Sequence, residues 1–446
     1  MKPVKNYETD VLVLGGGPAG IAAAISASRA GAKTTLVESK AFLGGNLVGG
    51  LCLHTFHDAD LNKVIGGFPD ELIERLKEIG GSIGPVEIKN AHMKTTTPID
   101  HELMKYLLFK MADENNVELL LCAFASDVNV ENERIKNVVI ETKEDRRYYT
   151  AKVYIDATGD ADIAEWSGAV PMNKGRDGDG KMQAMSTVFK MACVDMDRAL
   201  EEIGVGKAVV DKPGEGEICM WFSANLDKYK DELEKAKIFP FAHHVFWGNT
   251  FRKTDVNLNI TRVIDLDPTN EEELSKAEKE ARFQIYKVSE FLKKNVPGFE
   301  KAYVISSVPF IGIRETRRII GDYVLNDEDV LEGRRFPDAI ARSSYPVDIH
   351  DPDGKGTSFQ QVKNSYYEIP YRCLIPKGLE NLLVAGRAIS TTPAALASSR
   401  TMVNVMCVGQ GAGVAAAICA KEGLESVRKV NITDLQNTLK AQGAVL

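Results

Sequence analysis

Positive charge is in deficit in this sequence: 55 lysines and arginines face 63 aspartates and glutamates, a formal net charge of −8 over 446 residues. A chain with that balance lacks the cationic face that a phosphate backbone requires, so no nucleic-acid partner is expected. No apolar run reaches the ~20 residues of a membrane helix without small or polar interruptions. The opening MKPVKNYETD leads straight into a strand and carries no signal-peptide core. No C-x-x-C pair occurs, and the seven cysteines (Cys52, Cys122, Cys193, Cys219, Cys373, Cys407 and Cys419) are odd in number and widely scattered. That speaks against a disulfide framework and a paired redox dithiol. The thiols read as small apolar residues in a reducing compartment, with the cytoplasm as the expected location. No internal repeat is visible.

What is present suits a soluble globular chain long enough for two or three domains, with 44% hydrophobic and 26% charged residues. DVLVLGGGPAGIAAAISASRAGAKTTLVES reads as an apolar strand, a glycine turn, an Ala-rich helix and a second strand. Helices are predicted over 69–80 and 101–116, the latter followed by the strand VELLLC. DVNVENERIKNVVIETKEDRRYYTAKVYIDATGD carries the three strands and polar turns of a β-meander. Residues 171–188, rich in Gly, Lys and Asp, read as a linker or mobile loop. Beyond them STVFKMACV and DVNLNITRV alternate as a sheet does, and EEELSKAEKEARFQIYKVSEFLKKN is a long helix. The expected fold class is α/β, with a parallel sheet and meander built from 1–170 and 365–446. An α+β substrate or cap domain is inserted over 171–310, and 311–364 connects the two beside the active site.

The glycine turn carries chemistry. Gly15, Gly17 and Gly20 form G-x-G-x-x-G between a strand and a helix, with Pro18 and Ala19 opening the helix. Gly15 permits the tight turn, Gly17 lets backbone amides approach a pyrophosphate, and Gly20 lets the helix pack close to the sheet. The helix N-terminus adds free N–H groups and partial positive charge. Glu38 ends the second strand, 18 residues beyond Gly20, where a carboxylate takes the hydroxyls of an adenosine ribose and repels a 2′-phosphate. A Rossmann-type dinucleotide site is therefore expected, with NADP disfavoured. No second such motif appears, so no dedicated NAD(P)H domain is expected.

Three further stretches resemble the FAD flavoproteins of the glutathione-reductase type. ESKAFLGGN, with Ser39, Gly44, Gly45 and Asn46, is similar to the segment that lies against the pyrophosphate and ribityl chain. YIDATGDAD, with Ala157, Thr158 and Gly159, resembles a strand end beside the FAD, and Ala125 is counted with it. NLLVAGRAIS resembles the late strand that meets the ribityl chain, except that Gly386-Arg387 stands where Gly-Asp is frequent. A narrower resemblance covers nearly the whole chain. GIRETRRIIGDYVLNDEDV, FPDAIARSSYPVDIHDPDG, YEIPYRCLIPKGLENLLVAGRAIS and SSRTMVNVMCVGQGAG resemble a bacterial group of FAD-dependent oxidoreductases. That group is related to succinate dehydrogenase and fumarate reductase flavoproteins and to thiazole-biosynthesis and geranylgeranyl-reductase-like enzymes. Members often carry histidines after A-G-R, where Pro393 and Leu396 stand here. The resemblance implies a Rossmann-type FAD-binding domain, non-covalent FAD, and a flavoprotein that often pairs as a homodimer. In the last helix, Gly409, Gly411 and Gly413 allow close packing, Ser398 or Ser399 supplies the cap, and the amides of Arg400, Thr401 and Met402 point at the flavin.

GGNLVGGLCLHTFHDAD, residues 44–60, admits several readings. His54 and His57 would ligate a metal if helical, with Asp58 or Asp60 as third ligand, but no second cluster supports one. Cys52 and His54 would form a nucleophile pair, without an orienting group. The favoured reading runs the loop along the flavin, with His54 moving a proton; a purely structural His54 is the alternative. Arg314, Arg317 and Arg318 are candidates to hold a substrate carboxylate, with Arg317 taken as catalytic and one arginine paired to Glu315 or Asp322. On a strand, Arg314, Thr316 and Arg318 would share a face opposite Arg317. Tyr345 and His350 complete the catalytic candidates. The expected activity is hydride transfer between flavin N5 and a small organic substrate, carboxylate-bearing on the evidence of the arginines. An electron donor or acceptor meets the same flavin. The alternative is an electron-transfer or macromolecule-modifying flavoprotein subunit.

Overall fold

Apolar residues on both faces of a strand call for cover on both sides, and the first unit provides it. In the computed structural model, residues 3–88, 93–211, 218–238, 246–252, 254–354 and 356–446 are described. Strand β1 (Val4–Leu14), helix α1 (Pro18–Arg29) and strand β2 (Thr34–Glu38) follow the predicted order. β1 pairs in parallel with β2, Val11 opposite Thr34, and on its other side with Arg146–Asp156. Glu118–Leu121 extends the sheet beyond β2, and Leu382–Val384, from the far end of the chain, joins Arg146–Asp156 in parallel. The fold is α/β with a Rossmann-type sheet.

The meander is part of the same sheet. Phe124–Glu131 and Arg134–Glu141 pair antiparallel, and Arg134–Glu141 pairs antiparallel with the first residues of Arg146–Asp156. The apolar second half of that last strand, VYID, is buried and lies beside β1.

Helix Met402–Glu422 backs the sheet against α1. Its glycines set the spacing: a Cβ on Gly409 would fall 2.1 Å from the Ala19 carbonyl oxygen, and one on Gly413 2.1 Å from that of Ala23. This is the one helix among the described residues apolar and long enough to cross a bilayer, and 89% of its apolar window is buried inside the protein. It is a core helix. Its cap departs from expectation. Pro393–Ser399 is a separate helix capped by Thr392, and Ser398 Oγ donates to the Tyr345 carbonyl. Both serines lie inside that preceding helix and so do not occupy the cap position of the long helix, whose N-cap is Thr401 without a side-chain bond.

A second sheet of six antiparallel strands runs in the order 204–211, 218–224, 246–252, 255–259, 189–192 and 303–307. Phe189, Met191, Val256 and Leu258 from the sheet share a core with Ile285, Val288, Phe291 and Leu292. These last four lie on the predicted long helix, Glu271–Asn295. The stretch expected as a mobile loop is tied down at its start: Met172–Lys174 pairs with Arg317–Ile319, because the edge left by that short strand needs a partner.

Candidate active site

The glycine turn has the geometry its motif requires. Gly15 has φ +102°, and a Cβ there would meet the Ala157 carbonyl oxygen at 2.4 Å. A Cβ on Gly20 would fall 1.8 Å from the Gly15 carbonyl oxygen, so only glycine permits α1 to sit this close. Around Gly17 there is open space. It is the N-cap of α1 and makes no side-chain cap bond, which leaves the first-turn amides for a ligand. Glu38 is buried at the end of β2: Oε2 accepts the Gly16 N–H at 2.6 Å and Oε1 the Lys40 N–H at 2.8 Å. Two backbone donors fix the carboxylate at the mouth of the turn.

A cavity of about 650 Å³ begins here. Its wall includes Gly15, Gly17, Pro18, Ala19, Glu38, Ser39, Gly45, Asn46, Ala125, Ala157, Thr158, Gly159, Gly386, Arg387, Arg400, Thr401 and Met402. Two predicted contacts, Gly20 and Gly44, lie behind this wall. Gly20 carries the helix packing, and Gly44 donates its N–H to the Gly16 carbonyl at 2.8 Å, bracing the turn. Arg387 forms an ion pair with Asp160, so a carboxylate stands beside the Gly-Arg position after all, from a neighbouring strand end. Arg387 Nε and Thr401 Oγ1 are buried with no hydrogen-bond partner among the described residues. Such donors match the phosphate and carbonyl oxygens of a flavin dinucleotide, as do the open first turn of α1 and the fixed Glu38. The residues present fit FAD.

The opposite end of the cavity is built from charged and polar side chains. His54 lies on the short strand Leu53–His54, paired with Thr96–Thr97, and its Nδ1 is 3.0 Å from Thr96 Oγ1. The chain then turns through Thr55 at φ 68°, so His54 and His57 do not share a helix face. Asp58 Oδ1 accepts the N–H groups of Asp60 and Asn62, both at 2.9 Å, and is spent on closing that turn. Cys52 Sγ is 3.8 Å from His54 Nε2, but burial pushes its thiol up to about 11, which keeps it un-ionised. The His54 ring stacks on Tyr345 at 6.4 Å between centroids.

Tyr345 Oη donates to Asp348 Oδ2 at 2.9 Å, and burial with the adjacent carboxylate raises the phenol far above its ordinary value. His350 Nε2 is 3.6 Å from Asp348 Oδ1. Burial, aided by Arg314, lowers the imidazole to about 3, so it is neutral at physiological pH. Arg400 Nη2 donates to the Asp348 carbonyl at 3.0 Å and to Gln183 Oε1 at 3.3 Å. Gln183 Oε1 also accepts the His350 N–H at 3.1 Å. Arg314 donates to the Ala184 carbonyl and faces the cavity. Its cationic form is opposed first by burial and then by Arg262 and Arg400, the electrostatic mark of a pocket short of negative charge.

His54, Tyr345 and His350 therefore meet at one wall, whereas Arg317 is not on it. Arg317 donates to the Asp160 carbonyl at 3.0 Å and pairs with Asp162 at 2.8 Å. Burial and the neighbouring Asp160 raise Asp162 to about 7. Arg318 is buried in an ion pair with Glu315 at 2.6 Å, as one arginine was expected to be. The expected strand covers only Arg317–Ile319, so Arg314 leaves the shared face and turns inward. Asp348 was missed, although a signal existed: it alternates with His350 on the strand Val347–His350, which puts both on one face.

A Rossmann-type sheet with a dinucleotide turn, a strand-end carboxylate and a cavity running on to buried acid–base groups is the architecture of a dinucleotide-dependent oxidoreductase. The chain belongs to the FAD-dependent oxidoreductase family, whose model matches residues 10–439, and its cofactor is FAD. Thiamine thiazole synthase of Aeropyrum pernix is 33% identical over 138 residues, 30% of this chain and 45% of that protein. Leghemoglobin reductase of Vigna unguiculata is 43% identical over 61 residues, 12% of each chain. The chain thus spans less than half the length of these curated relatives. Among solved structures, a geranylgeranyl bacteriochlorophyll reductase-like protein from Thermoplasma acidophilum is 14% identical with a TM-score of 0.48, over 98% of this chain and 83% of that one.

Proposed function

We propose that this oxidoreductase transfers a hydride between flavin N5 and a small organic substrate bound at the charged end of the cavity. The observation that carries the reading is continuity: one cavity joins the glycine turn and Glu38 to Tyr345, His350 and Arg314. Bound FAD supplies the two-electron chemistry. Gly17 and the first turn of α1 would hold the pyrophosphate, Glu38 the ribose, and Arg387 and Thr401 the middle of the coenzyme. Arg314 and Arg400 attract and orient an anionic substrate. Tyr345 enters as a protonated phenol and His350 as a neutral imidazole, both in contact with Asp348, so a proton can be held or passed at the substrate while the hydride moves. His54, stacked on Tyr345, either shares that proton or fixes the ring. The antiparallel sheet would act as the cap that excludes water, and the second electron partner reaches the same flavin.

The test is anaerobic. Oxidised holoprotein is mixed with metabolite pools and its visible flavin absorbance followed; reduced holoprotein is then screened for reoxidation by the same pools. The reading expects bleaching or recovery with a small molecule. A flavin that answers only to a protein partner would assign an electron-transfer subunit instead.

A further inference from the structure

We propose that the charged end of the cavity is a subsite for a hydroxy acid: Arg314 and Arg400 take the carboxylate, and Ser186 with Asn259 reads a neighbouring hydroxyl. The assignment rests on the reading of a small-molecule oxidoreductase and names its substrate class. It starts from buried polar atoms with nothing to bond. Ser186 is 5% exposed and Asn259 8% exposed, and both border the cavity. Ser186 Oγ and Asn259 Oδ1 have no hydrogen-bond partner among the described residues. Leaving such groups buried and unpaired is unfavourable, so a ligand that supplies partners recovers that cost. A hydroxyl does so in both senses, accepting from the Ser186 hydroxyl and donating to the Asn259 amide oxygen.

These two residues stand beside the guanidinium groups. The Ser186 and Gly312 backbones exchange hydrogen bonds at 3.1 and 2.7 Å, and Arg314 is two residues further along. Thr187 N donates to Thr261 Oγ1 at 2.7 Å, which holds the 186–188 segment against the chain that carries Asn259 and Arg262. Arg262, Arg314 and Arg400 all interact with Asp348, which also serves Tyr345 and His350. Among the described residues at this end, Asp348 is the carboxylate set against Arg314 and Arg400 on the wall and Arg262 behind it, which leaves the charged end positive. Arg400 Nε is itself buried without a hydrogen-bond partner among the described residues. A substrate carboxylate supplies both the missing charge and the missing acceptor. The combination excludes neutral alcohols and amides as good ligands, and it ranks a hydroxy acid above the same acid without its hydroxyl.

Calorimetric titration of the FAD-loaded protein tests this, with lactate and malate against propionate and succinate, and against propanol and lactamide. Hydroxy acids are expected to bind about 10-fold tighter than their deoxy partners and about 100-fold tighter than the neutral compounds. Arg314→Met should lose about 100-fold for every acid while retaining FAD and melting no lower than the parent, because it removes an under-compensated buried charge. Ser186→Ala and Asn259→Leu should erase the preference for the hydroxyl and keep the affinity for the simple acid. Neutral compounds binding as tightly as the acids would overturn the subsite. So would loss of FAD from the Ser186 and Asn259 variants, which would give those atoms to the flavin. A flavin reduced by a neutral substrate removes the subsite and leaves the oxidoreductase reading intact. Tight hydroxy-acid binding with a flavin that no small molecule reduces or reoxidises does the reverse.

Discussion

The two ends of the cavity use different materials. At the nucleotide end the work is done by backbone: glycines that admit close approach, first-turn amides of α1, and one carboxylate held by two N–H groups. At the other end it is done by side chains, Arg314, Tyr345, Asp348, His350 and Arg400, which share partners and shift one another's protonation. A backbone site recognises a coenzyme by shape and tolerates no added atoms. A side-chain site is tuned by charge and can be altered without unfolding the protein. The contrast predicts which end fails by collapse and which by loss of chemistry.

The largest effect is expected where side chains are forced into the backbone end. Gly20→Val or Gly409→Val places atoms within bonding range of a carbonyl oxygen and should cost roughly 3 kcal/mol or more. Such variants should be colourless and melt early, by visible absorbance and circular dichroism. Glu38→Gln keeps the shape and removes the charge that Gly16 and Lys40 address. FAD affinity should fall about 10- to 100-fold, read by quenching of flavin fluorescence, with little change in hydroxy-acid binding once FAD is saturating. If Glu38→Gln weakened both ligands equally, the two ends would not be separable.

The charged end is expected to show itself in pH dependence. His350 titrates at about 3 in the folded protein and near 6.5 when unfolded, so the unfolded chain binds the extra proton between those values. The stability this provides is complete above about pH 6.5 and is lost as pH falls toward 3. His350→Gln should flatten that decline by roughly 1–3 kcal/mol in denaturant titrations, without loss of FAD at pH 7. The smallest effect sharpens the comparison from outside it. Arg198→Ala breaks an exposed pair with Glu300 and should leave the melting temperature and the affinity for both ligands unchanged.

Local patterns carried much of the fold. The turn from Gly15 to Gly20, the acid at Glu38, the meander and the helix Glu271–Asn295 all follow from spacing within one element or between neighbours. The arginines did not. Whether Arg314, Arg317 or Arg318 faces the cavity depends on Asp160 and Asp162, at the end of a strand some 150 residues earlier, and on Glu315, each of which captures a guanidinium. Ser398 failed as a cap because it lies within a separate helix, Pro393–Ser399, whose own cap is Thr392. Asp348 and Asn259 lie in stretches that read as ordinary strand or loop, and the contacts that single them out form only where separate segments meet.

The linear order of residues was enough to mark the glycine turn and its acid, because a tight turn, a helix start and a strand-end carboxylate are local patterns, whereas the approach of Ala157 that bars a side chain at Gly15 came with folding. At the charged end the tertiary structure decided among candidates, keeping Arg314, Tyr345 and His350, removing Arg317 and adding Asp348. Electrostatic pairing and burial act between chain segments that only folding brings together, and each cation turned inward is one that no nearer carboxylate had claimed.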